Sequence, residues 1–123
     1  MKRILLIAAA IAALAPLSAT ADTERMSDAR YLSASQCLAY ADLPELQSDG
    51  ANFSSLRAAA SVGFHSGSVV ADARESAARV RAQARRLSGM NNGLQQLRDE
   101  RDAACAGFVQ RGLVQMEASR APS

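Results

Sequence analysis

The sequence predicts a small all-α protein, an up-down-up bundle of helices that follows a cleaved signal peptide. After residue 21 the chain contains no isoleucine and no tryptophan, and its seven β-branched residues are too few for a sheet. Alanine, arginine, leucine and glutamine, which favour helices, are abundant instead. Apolar residues also recur every three or four positions over long stretches, which is the spacing of one helix face.

The first 21 residues have the organisation of a secretory signal peptide. Lys2 and Arg3 precede an apolar stretch (residues 4–14), and Ala-Thr-Ala at residues 19–21 precedes the predicted cleavage site. The apolar stretch is shorter than the roughly 20 residues that span a bilayer. No cysteine follows the cleavage site to carry the lipid of a lipoprotein. We therefore expect a periplasmic or secreted protein that is not a lipoprotein and has no membrane span.

Removal of the signal peptide leaves 102 residues, which fits one small domain. We expect residues 22–117 to form a helical bundle domain and residues 118–123 to form a disordered tail. Because two basic residues leave with the signal peptide, the remaining chain is formally neutral, with 12 arginines against 12 acids. Neutrality removes any general attraction to nucleic acid, and we expect no nucleic-acid partner.

Charge is nevertheless distributed unevenly along the domain. Residues 22–52 carry a net charge of −4, and residues 53–90 carry a net charge of +4. In one interpretation, the acidic segment packs against the basic segment and the two neutralise each other. In the other, the basic segment stays free to bind a partner. The candidate binding surface then consists of five arginines: Arg74, Arg79, Arg81, Arg85 and Arg86.

Three helices account for the apolar spacing. The first covers about residues 27–41 with Ser27 as its cap, the second about 53–88, and the third about 94–115. Glycines and serines at 61–68 weaken the second helix. A seam of mostly small residues, spaced alternately three and four apart, nevertheless keeps its spacing across them: Leu56, Ala59, Gly63, Ser66, Val70, Ala73, Ala77, Val80, Ala84 and Leu87. We therefore prefer one long kinked helix; if the weak stretch separates it, the bundle has four helices. Up-down-up connectivity would make the first and last helices parallel.

Cys37 and Cys105 are the only cysteines, and an exported chain meets an oxidising compartment in which paired thiols form disulfides. A metal site is disfavoured, because the chain has no Cys-x-x-Cys and one histidine. The sequence therefore predicts a disulfide between Cys37 and Cys105. Closing a loop of this length contributes about 4 kcal/mol in the chain-entropy model. That is a large share of the free energy of unfolding of a small domain, and we expect a core rich in alanine to need it.

Two residues outside the basic segment invite a chemical role. Arg101 lies within the apolar arc of the last helix, where we expect its stem to cover the stripe and its guanidinium to reach water or an acid of the first helix. Anchoring an anionic ligand is the lesser alternative. His65 is the only histidine, but no nucleophile or orienting acid is specified near it. We interpret it as a surface or kink residue.

These observations predict a non-enzymatic protein without a metal or cofactor. We expect a small exported binding or envelope-stress module that acts in the periplasm by contact with another protein, through the arginine-rich segment. The alternative is a structural protein of the cell envelope that associates with itself through the seam of small residues.

Overall fold

The computed structural model describes residues 25–116 of the 123-residue chain. The predicted signal peptide and tail lie outside these residues. Within them the chain forms an all-α bundle without a strand, as predicted. Its elements are α1 (Asp28–Ala41), a 3₁₀ helix (Pro44–Asp49), α2 (Ser54–Ala60), α3 (Gly67–Leu87) and α4 (Gly93–Gln110).

Helix α1 begins where the sequence predicts. The Ser27 hydroxyl accepts a hydrogen bond from the backbone N–H of Arg30 at 3.2 Å, which satisfies one of the free donors in the first turn. The helix buries Ala34, Cys37 and Tyr40.

The residues between α2 and α3 divide the second predicted helix into two. The bundle therefore has four α-helices, the alternative to one long kinked helix. Gly63 has φ of 75°, in the left-handed region that favours glycine. Three residues later the Ser66 hydroxyl accepts from Val69 N–H at 3.4 Å and caps α3. A stop signal and a start signal this close together outweigh the continuous spacing of the seam.

This break sets the direction of the helices. Asp28 at the start of α1 contacts His65 just before α3, and Tyr40 near the end of α1 contacts Gln83 near the end of α3. Helices α1 and α3 therefore run in the same direction. Helix α4 folds back beside α3 and runs opposite to α1, whereas three alternating helices would have made the first and last parallel. The short α2 carries the chain back along the bundle and accounts for the difference.

Helix α4 ends at Gln110, five residues before the predicted end. Gly112 has φ of 79°, its N–H donates to Val109 C=O, and Leu113 N–H donates to Phe108 C=O. This pair of hydrogen bonds is the Schellman arrangement that ends helices at a glycine. Beyond it Val114 is buried, and Gln115 pairs with Asn52 through two backbone hydrogen bonds.

The core consists of two clusters that share α1. One surrounds the disulfide and includes Leu56, Phe108 and Val114. The other surrounds Tyr40 and includes seam residues of α3 and Leu97 of α4. The two clusters lie toward opposite ends of α1. No helix between residues 25 and 116 is both long enough and apolar enough to cross a bilayer.

The predicted disulfide is confirmed. Cys37 of α1 and Cys105 of α4 are joined by an S–S bond of 2.03 Å, with Cα atoms 5.0 Å apart. Neither residue has any exposed surface. The bond ties together helices whose cysteines are 68 positions apart in sequence.

Reduction of this disulfide should lower the melting temperature by well over ten degrees. Loss of about 4 kcal/mol of loop-closure stabilisation corresponds to such a shift, since 1 kcal/mol moves a domain of this size by about 4 to 8 °C. Thermal unfolding with and without reductant measures the effect, and C37A/C105A should show the same decrease without reductant. An unchanged melting curve would contradict the prediction.

Glycine is required at position 93 for steric reasons. A Cβ built there lies 1.8 Å from the Leu87 carbonyl oxygen, whereas one built at Gly107 meets nothing within 4 Å. Gly93→Ala should therefore force the turn between α3 and α4 apart and destabilise the fold by about 2 kcal/mol or more. Gly107→Ala, inside α4, should stabilise it by about 0.5 to 1 kcal/mol. Urea unfolding of both variants tests this contrast; equal effects would rule out the steric explanation.

Candidate functional site

The five arginines of the candidate binding surface all lie on α3, and all are exposed. Helical spacing divides them into two rows. Arg74, Arg81 and Arg85 fall within about 40° of one another around the helix axis, and Arg79 and Arg86 form a second row about 130° away. The structure therefore does not bring all five together in one face.

Two members of the first row border a groove between α1 and α3 with a volume of about 440 Å³. Arg74 and Arg81 line one side of it. The remaining lining is mostly apolar and small, with Ser35 and Asp42 as its polar members: Tyr31, Leu38, Ala39, Leu43, Pro44, Val70, Ala73 and Ala77. The groove thus combines an apolar floor with two cationic side chains.

The charge of this groove is positive. Asp42 is the one acid that lines it, and its carboxylate already accepts from Arg57 Nη2 at 2.8 Å. Arg74 and Arg81 form no ion pair within residues 25–116. Both guanidinium groups therefore keep their donors for a bound anion.

The second row has different surroundings. Arg79 contacts Glu75 of its own helix at 3.3 Å, an exposed pair of the kind that contributes little to stability. Asp72 and Glu75 line a depression beside Arg79. Acids therefore accompany Arg79 in this depression, whereas the next depression along α3, lined by Arg79 and Arg86, contains no acid.

Neutralisation of the acidic segment by the basic segment explains only part of the observed pairing. Asp42 pairs with Arg57, and Asp28 contacts His65, as that interpretation expects. Asp49, however, pairs with Arg98 and Arg101 of α4. The 3₁₀ helix packs against α4, and this packing supplies the partners of Asp49. The arginines of α3 are left outside these ion pairs.

Arg101 is buried, and its charge is compensated inside the protein. Its Nη1 donates to Asp49 Oδ2 at 2.8 Å and its Nε donates to Asp102 Oδ1 at 3.0 Å. The prediction of an acidic partner is right in kind, but the acid lies in the 3₁₀ helix and not in the first helix. Burial by itself raises the pKa of Asp49, yet hydrogen bonds from Arg98 and Arg101 outweigh it and lower that pKa below its usual value. Arg101 thus fastens the 3₁₀ helix to α4.

His65 lies in the break between α2 and α3, in agreement with the kink position that was one of its two predicted placements. It is not a surface residue, because only 3% of its side chain is exposed. The imidazole stacks on Tyr31 with ring centroids 4.0 Å apart. Its Nδ1 lies 2.9 Å from Asp28 Oδ1 and 2.9 Å from Arg25 Nη1. The pKa of Asp28 is lowered mainly by the hydrogen bond from His65 and, to a smaller extent, by the hydrogen bond from Arg25. The contacts of His65 thus fasten the start of α1 to the break.

A polar cluster around Tyr40 was not predicted from the sequence. The Tyr40 hydroxyl lies 3.1 Å from Glu100 Oε1 and 3.2 Å from Gln83 Oε1, and Gln83 Nε2 also donates to Glu100. Burial, followed by the hydrogen bond to Glu100, raises the pKa of Tyr40 to about 12. The cluster links α1, α3 and α4. Its signal in the sequence is the spacing of Tyr40 three residues after Cys37, on the same helix face.

Comparison of the chain with protein-family models, with curated proteins and with solved structures gives no match. Among residues 25–116 no group of three or more His, Cys, Asp or Glu side chains is placed to hold a metal ion. At the groove beside Arg74 and Arg81, an apolar concavity and unpaired charge coincide.

Removing the charge of Asp49 should destabilise the fold strongly. Asp49→Asn leaves the buried Arg101 without its main counter-charge, which costs about 3 kcal/mol or more for a buried pair. Asp102→Asn, at a half-exposed carboxylate, should change the free energy of unfolding by less than about 1 kcal/mol. Urea unfolding at neutral pH compares the two.

The ion pair between Asp49 and Arg101 also makes the free energy of unfolding depend on pH. Since the folded-state pKa of Asp49 is lowered, its contribution is fully present above its unfolded value of 3.8 and disappears as the pH falls through the folded value. The stability gap between the wild type and Asp49→Asn should therefore narrow on acidification below 3.8. A gap that stayed constant, or one that never exceeded that of Asp102→Asn, would contradict this role.

Proposed function

We propose that this chain is a small exported binding module that acts in the periplasm or outside the cell by contact with another protein, without catalysing a reaction. The predicted N-terminal signal peptide and the fully buried disulfide support an oxidising compartment. The single observation that carries the binding role is the positive groove between α1 and α3, whose arginines Arg74 and Arg81 are not used by the fold itself.

The surroundings of the possible catalytic groups favour binding over catalysis. A catalytic histidine needs a nucleophile beside it and an accessible face. The imidazole of His65 is stacked and buried, and the neighbouring Ser66 hydroxyl caps α3. Arg101, the other candidate for chemistry, is neutralised by Asp49. These groups serve the fold, whereas Arg74 and Arg81 at the groove form no ion pair.

Self-association through the seam of small residues remains the alternative function. The seam residues Val80, Ala84 and Leu87 are buried within the chain itself, and a second copy would reach them only after α1 or α4 moved away. The accessible part of the seam is the stretch of Val70, Ala73 and Ala77 on the groove floor. Because the unpaired arginines at the edge of this groove call for a partner that supplies acids, we favour contact with another protein.

Capture of partners from envelope extract tests the proposal. The oxidised mature protein, R74E/R81E and R79E/R86E serve as baits, because the two variants carry the same change in charge on the two rows. We expect R74E/R81E to lower the amount of captured partner about tenfold or more, the factor that 1.4 kcal/mol represents. R79E/R86E should capture nearly as much as the wild type.

Three outcomes would count against the proposed function. They are the absence of any captured protein, equal losses in both variants, and recovery of a second copy alone. Light scattering of the free protein identifies the last case, since a monomer at micromolar concentration excludes self-association.

A further inference from the structure

The groove also indicates what kind of partner it takes, an inference that rests on the proposed function. We infer that the groove between α1 and α3 binds an acidic amphipathic helix of another exported protein. The apolar side of that helix would lie on the alanine floor, and its carboxylates would meet Arg74 and Arg81.

The floor of the groove fits a helix because its side chains are short. Ala39 of α1 and Ala73 and Ala77 of α3 present only methyl groups to it. Small residues let the axis of another helix approach closely. A groove between two helices commonly binds the apolar face of an amphipathic helix. Leu38 and Val70 supply larger apolar contacts beside the alanines.

The charged edge of the groove fits acids at a defined spacing. Arg74 and Arg81 are seven residues apart on the same face of α3, so their Cα atoms are separated by about 10 Å along the helix. Two carboxylates at positions i and i+7 of a partner helix have the same separation and also share one face. Because Asp42 is already paired with Arg57, it does not compete for either arginine.

The arrangement of charge favours a protein segment over a membrane or a nucleic acid. Both of those partners require a broad basic surface that contacts many phosphates. Here the second row of arginines points to another side of α3, where Glu75 pairs with Arg79 and Asp72 lies close by. Two unpaired arginines at the edge of an apolar groove instead match a segment that is both acidic and apolar.

Site-specific photocrosslinking provides the test, with a matched pair of neighbouring positions. Ser35 lines the groove, whereas the adjacent Gln36 lines the depressions on the other side of the α1–α3 contact. A benzophenone amino acid is placed at either position in the full chain expressed in its own cells. Circular dichroism and retention of the disulfide confirm that each variant is folded.

We expect an adduct from Ser35 at least about fivefold stronger than that from Gln36, with an acidic helical segment that carries two acids seven residues apart. Adding R74E/R81E should lower the Ser35 adduct about tenfold, and R79E/R86E should leave it within about twofold. A synthetic peptide of the crosslinked segment should bind the oxidised protein, and its version with both acids changed to glutamine should bind about tenfold more weakly.

The inference is overturned by equal adducts at both positions, by a crosslinked segment without the acids, by an adduct with lipid or a second copy, or by no adduct at Ser35. Its failure differs from failure of the proposed function. If capture depends on Arg74 and Arg81 but the crosslinks map outside the groove, the binding role stands and the acidic helix does not. If no protein is captured by any bait, both fail.

Discussion

The covalent link between Cys37 and Cys105 is the constraint on which the rest of the bundle depends. Helix α1 contributes to both core clusters, and α4 is the element farthest from it in the described sequence. The buried hydrophobic residues of the described chain include five leucines and only three alanines, but a domain of this size buries too little apolar area per residue to be strongly stable by packing alone. The disulfide removes conformational freedom from the unfolded chain and thereby compensates for the small buried area. It holds α1 against α4, whereas the contact of α1 with α3 creates the groove.

A second constraint is the interruption at residues 61–66. Gly63 and Ser66 end one helix and begin the next, so α3 runs in the same direction as α1. The contacts of His65 with Tyr31 and Asp28 hold this break against the start of α1. Because α1 and α3 meet through small side chains, they leave an open groove along their contact. The small side chains at this contact therefore make a concave surface available.

The arginines illustrate how one residue type serves both stability and binding. Arg98 and Arg101 are drawn into the fold because Asp49 lies opposite them when the 3₁₀ helix packs on α4. Arg74 and Arg81 face no acid that is free, and their charge stays available at the groove. Burial and ion pairing therefore distinguish Arg98 and Arg101 from Arg74 and Arg81, although all four residues are arginines. This separation is the physical basis for assigning the binding role to the groove side of α3.

The amino-acid sequence by itself determined the helical class, the cap of α1, the disulfide and the position of the basic helix, because these depend on local propensity, periodicity and the pairing of the only two thiols. It did not determine the directions of the helices, the end of α4 or the partner of Arg101. Those depend on glycines such as Gly112 adopting left-handed backbone, and on which distant segments pack together. The division of the arginines into two rows follows from helical spacing, but only the tertiary structure decided which row borders a groove, since a groove requires a second helix.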